Sequence, residues 1–157
     1  QVFLPLVLKS PEPPDLIVRQ IVATPDDVQV VIENVGHGPV SDDFWIDVYI
    51  DPDPAPTGVN QVWYDGRCEQ GIVWGVAASQ TPMAPGATLT LTIEDQYWSE
   101  RYSNFTGALP AGTEVWAQVD AVNLETDYGG VLESHEASGG AYNNIAYVVL
   151  GSAGSGR

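Results

Sequence analysis

The sequence predicts an all-β protein, an antiparallel β-sandwich of about seven strands. Three observations carry that expectation. Apolar and polar residues alternate with a period of two in several segments, the mark of strands with one buried face. Clusters of Pro, Gly, Asp and Asn separate those segments. No apolar stripe of helical period runs for more than a turn or two.

Taken in order, the first strand is expected over Leu16 to Ala23 and the second over Val28 to Asn34, with Thr24-Pro25-Asp26-Asp27 as the turn between them. The third strand, Phe44 to Asp51, alternates most clearly: Phe44, Ile46, Val48 and Ile50 point one way, and Trp45, Asp47, Tyr49 and Asp51 the other. It lies between the turn signals Gly36-His37-Gly38-Pro39 and Asp51-Pro52-Asp53-Pro54. A fourth strand falls somewhere in Cys68 to Val76. A fifth follows Ala84-Pro85-Gly86, over Thr88 to Ile93, with leucine and isoleucine inward and threonine outward. After Pro110-Ala111-Gly112 comes the sixth, Glu114 to Asp120, and the last is Ile145 to Leu150.

The chain of 157 residues carries 21 acidic against 5 basic side chains, a formal charge of −16. That balance argues against nucleic acid, whose phosphates demand a basic stripe, and against anionic membrane surfaces. With 44% hydrophobic and 10% aromatic residues, the acidity does not mean disorder. The apolar run Val2 to Leu8 is too short to span a bilayer and contains Pro5, so no direct membrane insertion is expected. The chain starts at Gln1 without the parts of a complete signal peptide. Its one cysteine, Cys68, cannot form an internal disulfide and is expected to be a small, buried or half-buried residue. Residues 1–14 read as a Pro-rich extended lead-in, residues 15–150 as the folded domain, and residues 151–157 as a Gly/Ser tail. Both ends look like junctions with further chain.

Asp15-Leu16-Ile17-Val18 opening the first strand, Val30 to Gly36 as the second strand and its exit, and Trp45 to Asp51 as the third carry a family resemblance. So do Ala84-Pro85-Gly86, Val115 to Asp120, and Glu133-Ser134-His135-Glu136 followed by Asn143-Asn144. Together they resemble the CARDB family, a cell-adhesion-related domain of bacterial and archaeal secreted and surface proteins. The resemblance spans nearly all of residues 15–150. It implies an immunoglobulin-like antiparallel β-sandwich, an extracellular or cell-surface location, an adhesive or accessory role, and no catalytic residues. Two departures stand out. Ala137 to Tyr142 intervene between the acidic pair and Asn143-Asn144. Such a sandwich also needs only about a hundred residues, and the surplus lies in two long loop insertions, Pro52 to Pro82 and Val122 to Tyr142.

In an immunoglobulin-like sandwich the third and sixth strands are neighbours in one sheet. Trp45 and Tyr49 would then share an outer face with Trp116, with Asp47 and Asp120 among them, and so large an apolar patch is unusual on a monomer. The simpler expectation is that the insertion carrying Trp63, Tyr64 and Trp74 folds over that face as a second small core. The functional one is a ligand platform of Trp45, Tyr49 and Trp116 for sugar rings or a partner protein.

The carboxylates raise calcium, a hard cation that takes several oxygen ligands, although no cofactor is required by the sequence. Asp42 and Asp43 share an end of the sandwich with the loop holding Asn123, Glu125 and Asp127, which form the preferred candidate set, and with Glu133 and Glu136. Asp26, Asp27, Asp51, Asp53, Glu94 and Asp95 belong to the opposite end. No G-x-S-x-G elbow or H-E-x-x-H helix accompanies His37 and His135, so no enzyme is expected, and His135 reads as a solvated loop histidine. The functional expectation is a non-catalytic adhesion or accessory binding domain, its partner a protein or carbohydrate at the cell surface. The alternatives are a carbohydrate-binding module and a structural spacer.

Overall fold

Alternating apolar side chains can be buried only if two sheets close over them, and the molecule is built that way. A computed structural model describes residues 12–77, 79 and 82–151; the expected lead-in before residue 12 and the tail after Gly151 lie outside the described residues. Seven strands form: β1 (Leu16–Ala23), β2 (Val28–Asn34), β3 (Phe44–Ile50), β4 (Gln70–Val76), β5 (Thr88–Leu91), β6 (Glu114–Val119) and β7 (Ile145–Val149). Among the described residues the helical elements are α1 (Ser134–Ser138) and one tight turn at Glu100–Tyr102.

One sheet has the order β1-β2-β5 and the other β4-β3-β6-β7, all pairs antiparallel. This is the immunoglobulin-like arrangement, with the third and sixth strands adjacent as expected. A bulge between Val18 and Gln20 on β1 shifts its register against β2. The inward set of β3 (Phe44, Ile46, Val48, Ile50) meets Leu16 and Ile32 of the facing sheet in the main core. The short strand β5 supplies Leu91 to it, with threonines outward.

The first insertion folds over the outer face of β3 and forms a second small core of Tyr49, Trp63 and Val73, with Cys68 and Trp116 packed against it. Two glycines of β4 make room for indoles on this face. Gly71 of β4 stands opposite Tyr49, and the indole of Trp63 lies so close to its α-carbon that a β-carbon would come within 2.2 Å of the ring. Gly75 stands opposite Trp45, whose ring would meet a β-carbon there at 2.8 Å. The Tyr49 hydroxyl lies 3.0 Å from the Gln61 carbonyl and 2.9 Å from Gln118 Oε1, so it is buried with partners.

Trp74 corrects the sequence expectation, because it does not cover the outer face. It pairs with Ile46 on the inward parity of β4, is fully buried in the main core, and donates its indole N–H to the Thr92 carbonyl at 2.9 Å. Asp47 and Asp120 were placed by the sequence among the aromatic side chains of the outer face, which the insertion was expected to cover. Neither is a solvated surface charge; both are buried, Asp47 beneath the insertion and Asp120 beneath the loop that follows β6.

Candidate metal centre

The second insertion returns to the start of the first strand, and where they meet two carboxylates and an imidazole come together. Asp120, just past β6, accepts hydrogen bonds from the backbone N–H groups of Gly130 (2.7 Å) and Val131 (2.9 Å), which folds the loop back. That return delivers Glu133, Ser134 and His135 to Pro14 and Asp15. The Ser134 N–H donates to the Pro14 carbonyl at 2.8 Å.

Glu133 precedes α1, whose first turn is closed by the Glu136 carboxylate accepting from the Glu133 N–H at 3.0 Å. The Glu133 side chain is completely buried. One oxygen accepts from the Leu16 N–H, and the other accepts from Asn144 Nδ2 at 2.5 Å. Burial pushes this carboxyl up to about 9, against the opposing effect of those two hydrogen bonds. No basic side chain figures among the groups that shift it.

His135 is 8% exposed, so the expectation of a solvated loop histidine is corrected. Its Nδ1 lies 3.0 Å from Asp15 Oδ1, and the edge of Tyr142 packs near its ring at 5.6 Å between centroids. Asn143 Nδ2 approaches both oxygens of Asp15, at 3.3 and 3.4 Å. His135 Nε2 is buried without a hydrogen-bond partner and lies 3.7 Å from Glu136 Oε1. His135 also borders a cleft of about 380 Å³ lined by Asp127, Glu136, Gly139 and Tyr142.

Asp15, Glu133 and His135 each offer one ligand atom, and the three atoms lie within 4.8 Å of one another. Two metal–ligand bonds of about 2.0–2.2 Å span at most ~4.4 Å, so the cluster is close to the spacing a single ion needs. The donor set of two carboxylates and an imidazole fits a divalent cation, and a buried Glu133 with no basic side chain beside it is a feature a bound cation would relieve.

The candidate ligands chosen from the sequence are placed differently. Asp127 reaches the cleft beside His135. Asn123 turns back on its own loop, its Oδ1 accepting from the Glu125 N–H at 3.0 Å, while Glu125, Asp42 and Asp43 are exposed. Of the platform residues, Tyr49 is fully buried, Trp116 is half-buried and stacked on Tyr147 at 4.4 Å, and Trp45 is 36% exposed. The sequence placed Glu133 at the same end of the sandwich as the candidate ligands but outside the preferred set, read His135 as a solvated loop residue, and showed Asp15 only as part of the family resemblance. The loop spacing that separates them gives no local sign of a cluster.

No protein-family model matches the chain, and no curated protein matches it. A solved structure does: the crystal structure of the CARDB domain of the PF1109 protein from Pyrococcus furiosus, in complex with di-metal ions. It covers 97% of this chain and 99% of that one at 20% identity, with a TM-score of 0.50. The likeness is one of fold. The sandwich expected from the CARDB resemblance is the sandwich observed. Among the described residues no helix is long and apolar enough to cross a membrane.

Proposed function

We propose that this chain is a non-catalytic accessory domain of a prokaryotic secreted or surface protein, acting in adhesion, and that a divalent cation at Asp15, Glu133 and His135 fastens its first strand to its last loop. The observation that carries the reading is the convergence of those three side chains from segments more than a hundred residues apart. The structural neighbour, named as a complex with di-metal ions, supports it. An imidazole beside two carboxylates suits a zinc- or manganese-type ion better than calcium, which prefers all-oxygen shells.

When bound, the ion supplies positive charge to a buried acidic site. Asp15 and Glu133 hold it from the strand and helix sides, and His135 completes the set. Asn143 and Asn144 orient the two carboxylates through the hydrogen bonds already described. The joint then presents the loop end as a rigid surface to a protein or carbohydrate partner at the cell surface.

Metal content after dialysis against zinc, manganese or calcium, with melting followed in parallel, tests this reading. Retention of about one zinc or manganese per chain with a raised midpoint is expected, and loss of both in His135→Gln. Neither retention nor a midpoint shift with any of the three ions would overturn the cation site.

A further inference from the structure

The outer face of β3 and β4 carries a separate constellation that the cation site does not use. A cleft of about 180 Å³ is lined by Trp45, Asp47, Tyr64, Val73, Tyr102 and Val122. Three of these are aromatic and substantially exposed: Trp45 at 36%, Tyr64 at 51% and Tyr102 at 37%. Their rings do not form a flat platform. Tyr102 meets Trp45 edge to face, at 6.0 Å and 87°, and lies roughly parallel to Tyr64 at 5.9 Å and 19°.

The walls are held from behind. Trp45 rests against Gly75, Tyr64 meets Trp63 edge to face at 5.6 Å, and the Trp63 indole N–H donates to the Tyr102 carbonyl at 2.9 Å. A pre-set arrangement of rings loses little entropy on binding.

Asp47 is 1% exposed and lines the same cleft. The hydrogen bond it accepts, from the Trp63 N–H, is long at 3.3 Å, and no basic side chain figures among the groups acting on it. A buried carboxylate so thinly compensated is costly unless positive charge comes to it. Asp65 adds negative charge near Tyr64. Tyr102 already accepts a cation on its ring, since the Arg101 guanidinium carbon lies 5.4 Å from the centroid, though Arg101 does not line the cleft.

Aromatic walls around a carboxylate attract a cation whose surface is apolar. An inorganic ion would need more oxygen ligands than Asp47 alone supplies. A sugar needs coplanar exposed rings and more room, as pockets for drug-sized ligands run to about 300–1,000 Å³. We propose that Trp45, Tyr64, Tyr102 and Asp47 form a binding site for an organic ammonium group of the quaternary or methylated-amine class, the rings receiving its methyl groups and Asp47 its charge.

Titration with tetramethylammonium at about pH 8 and constant ionic strength, followed by the nitrogen-labelled indole N–H resonances, tests the proposal on the intact chain. The Trp45 signal, assigned with Trp45→Phe, is expected to shift saturably with the ammonium and not with tert-butanol, its uncharged analogue. Affinity should fall at least about tenfold in Asp47→Asn and in Tyr64→Ala. The half-exposed Tyr64 ring can be removed without opening the main core, so this second variant keeps the test valid if the buried Asp47 substitution impairs folding. The proposal fails if wild type shows no saturable shift, if tert-butanol binds as well, or if Tyr64→Ala leaves the affinity unchanged. It also fails if a soluble oligosaccharide shifts the same resonance at lower concentration than the ammonium, which would make the cleft a sugar site.

Discussion

His135 Nδ1 lies 3.0 Å from Asp15 Oδ1, joining α1 to the start of β1 across 120 residues of sequence. This contact and the Glu133 hydrogen bond to the Leu16 N–H hold the second insertion against the edge of the sandwich. The predictions below begin from that joint.

Asp15→Ala removes the partner of both His135 and Asn143, and an unsatisfied buried polar group costs about 1–3 kcal/mol. Urea denaturation of the metal-free protein should show a loss in that range with an unchanged m-value. A loss near zero would mean that the His135 contact contributes nothing to holding the loop.

Burial raises Asp47 and Asp120 to about 7 and Glu133 to about 9, from ordinary values of 3.8 and 4.5. The folded state therefore keeps protons that the unfolded chain has released. The stability these groups contribute is full below about pH 4 and is lost as pH rises through about 7 and then 9. In chelator-containing buffer the melting midpoint should fall between pH 5.5 and 9.5, and Glu133→Gln should flatten the upper part of that fall. A midpoint that rises with pH would contradict the burial of these carboxyls.

At Gly71 a β-carbon would meet the Trp63 indole at 2.2 Å, whereas at Gly58 nothing lies within 4 Å. Gly71→Ala should cost about 1–3 kcal/mol by overpacking, with a matching red shift of tryptophan emission as Trp63 is displaced. Gly58→Ala, measured the same way, should be neutral or stabilising by up to about 1 kcal/mol.

Cys68 is half-buried against the second small core, and burial pushes its thiol up. Its thiolate fraction near neutral pH is therefore small. Reaction with a thiol reagent should be at least about tenfold slower in the folded protein than in urea, and Gly71→Ala should speed it by loosening the insertion. Equal rates folded and unfolded would show that the insertion does not shield the sulfur.

Strand placement was readable because period-two alternation is local: Phe44, Ile46, Val48 and Ile50 announce their parity without reference to any other segment. The second small core over Tyr49 followed from that parity, since an exposed aromatic face demands cover, and the half-burial of Cys68 from the tendency of a free thiol to be buried. Trp74 was misplaced because the fourth strand was located only loosely, and a one-residue change of parity reverses which face a side chain occupies. His135 was read as solvated because loop position is the only cue the sequence offers there, and it does not record what folds on top.

Taken alone, the sequence determined the strand set and the sandwich, because alternation and turn residues are properties of the chain itself. Only the tertiary structure decided which of the 21 acidic side chains are buried, and that Asp15, Glu133 and His135 converge while Asn123, Glu125 and Asp43 do not. Burial and convergence depend on where two long loops return, and a loop's path is set by contacts such as Asp120 with Gly130 and Trp63 with Gly71, which connect segments that no local pattern relates.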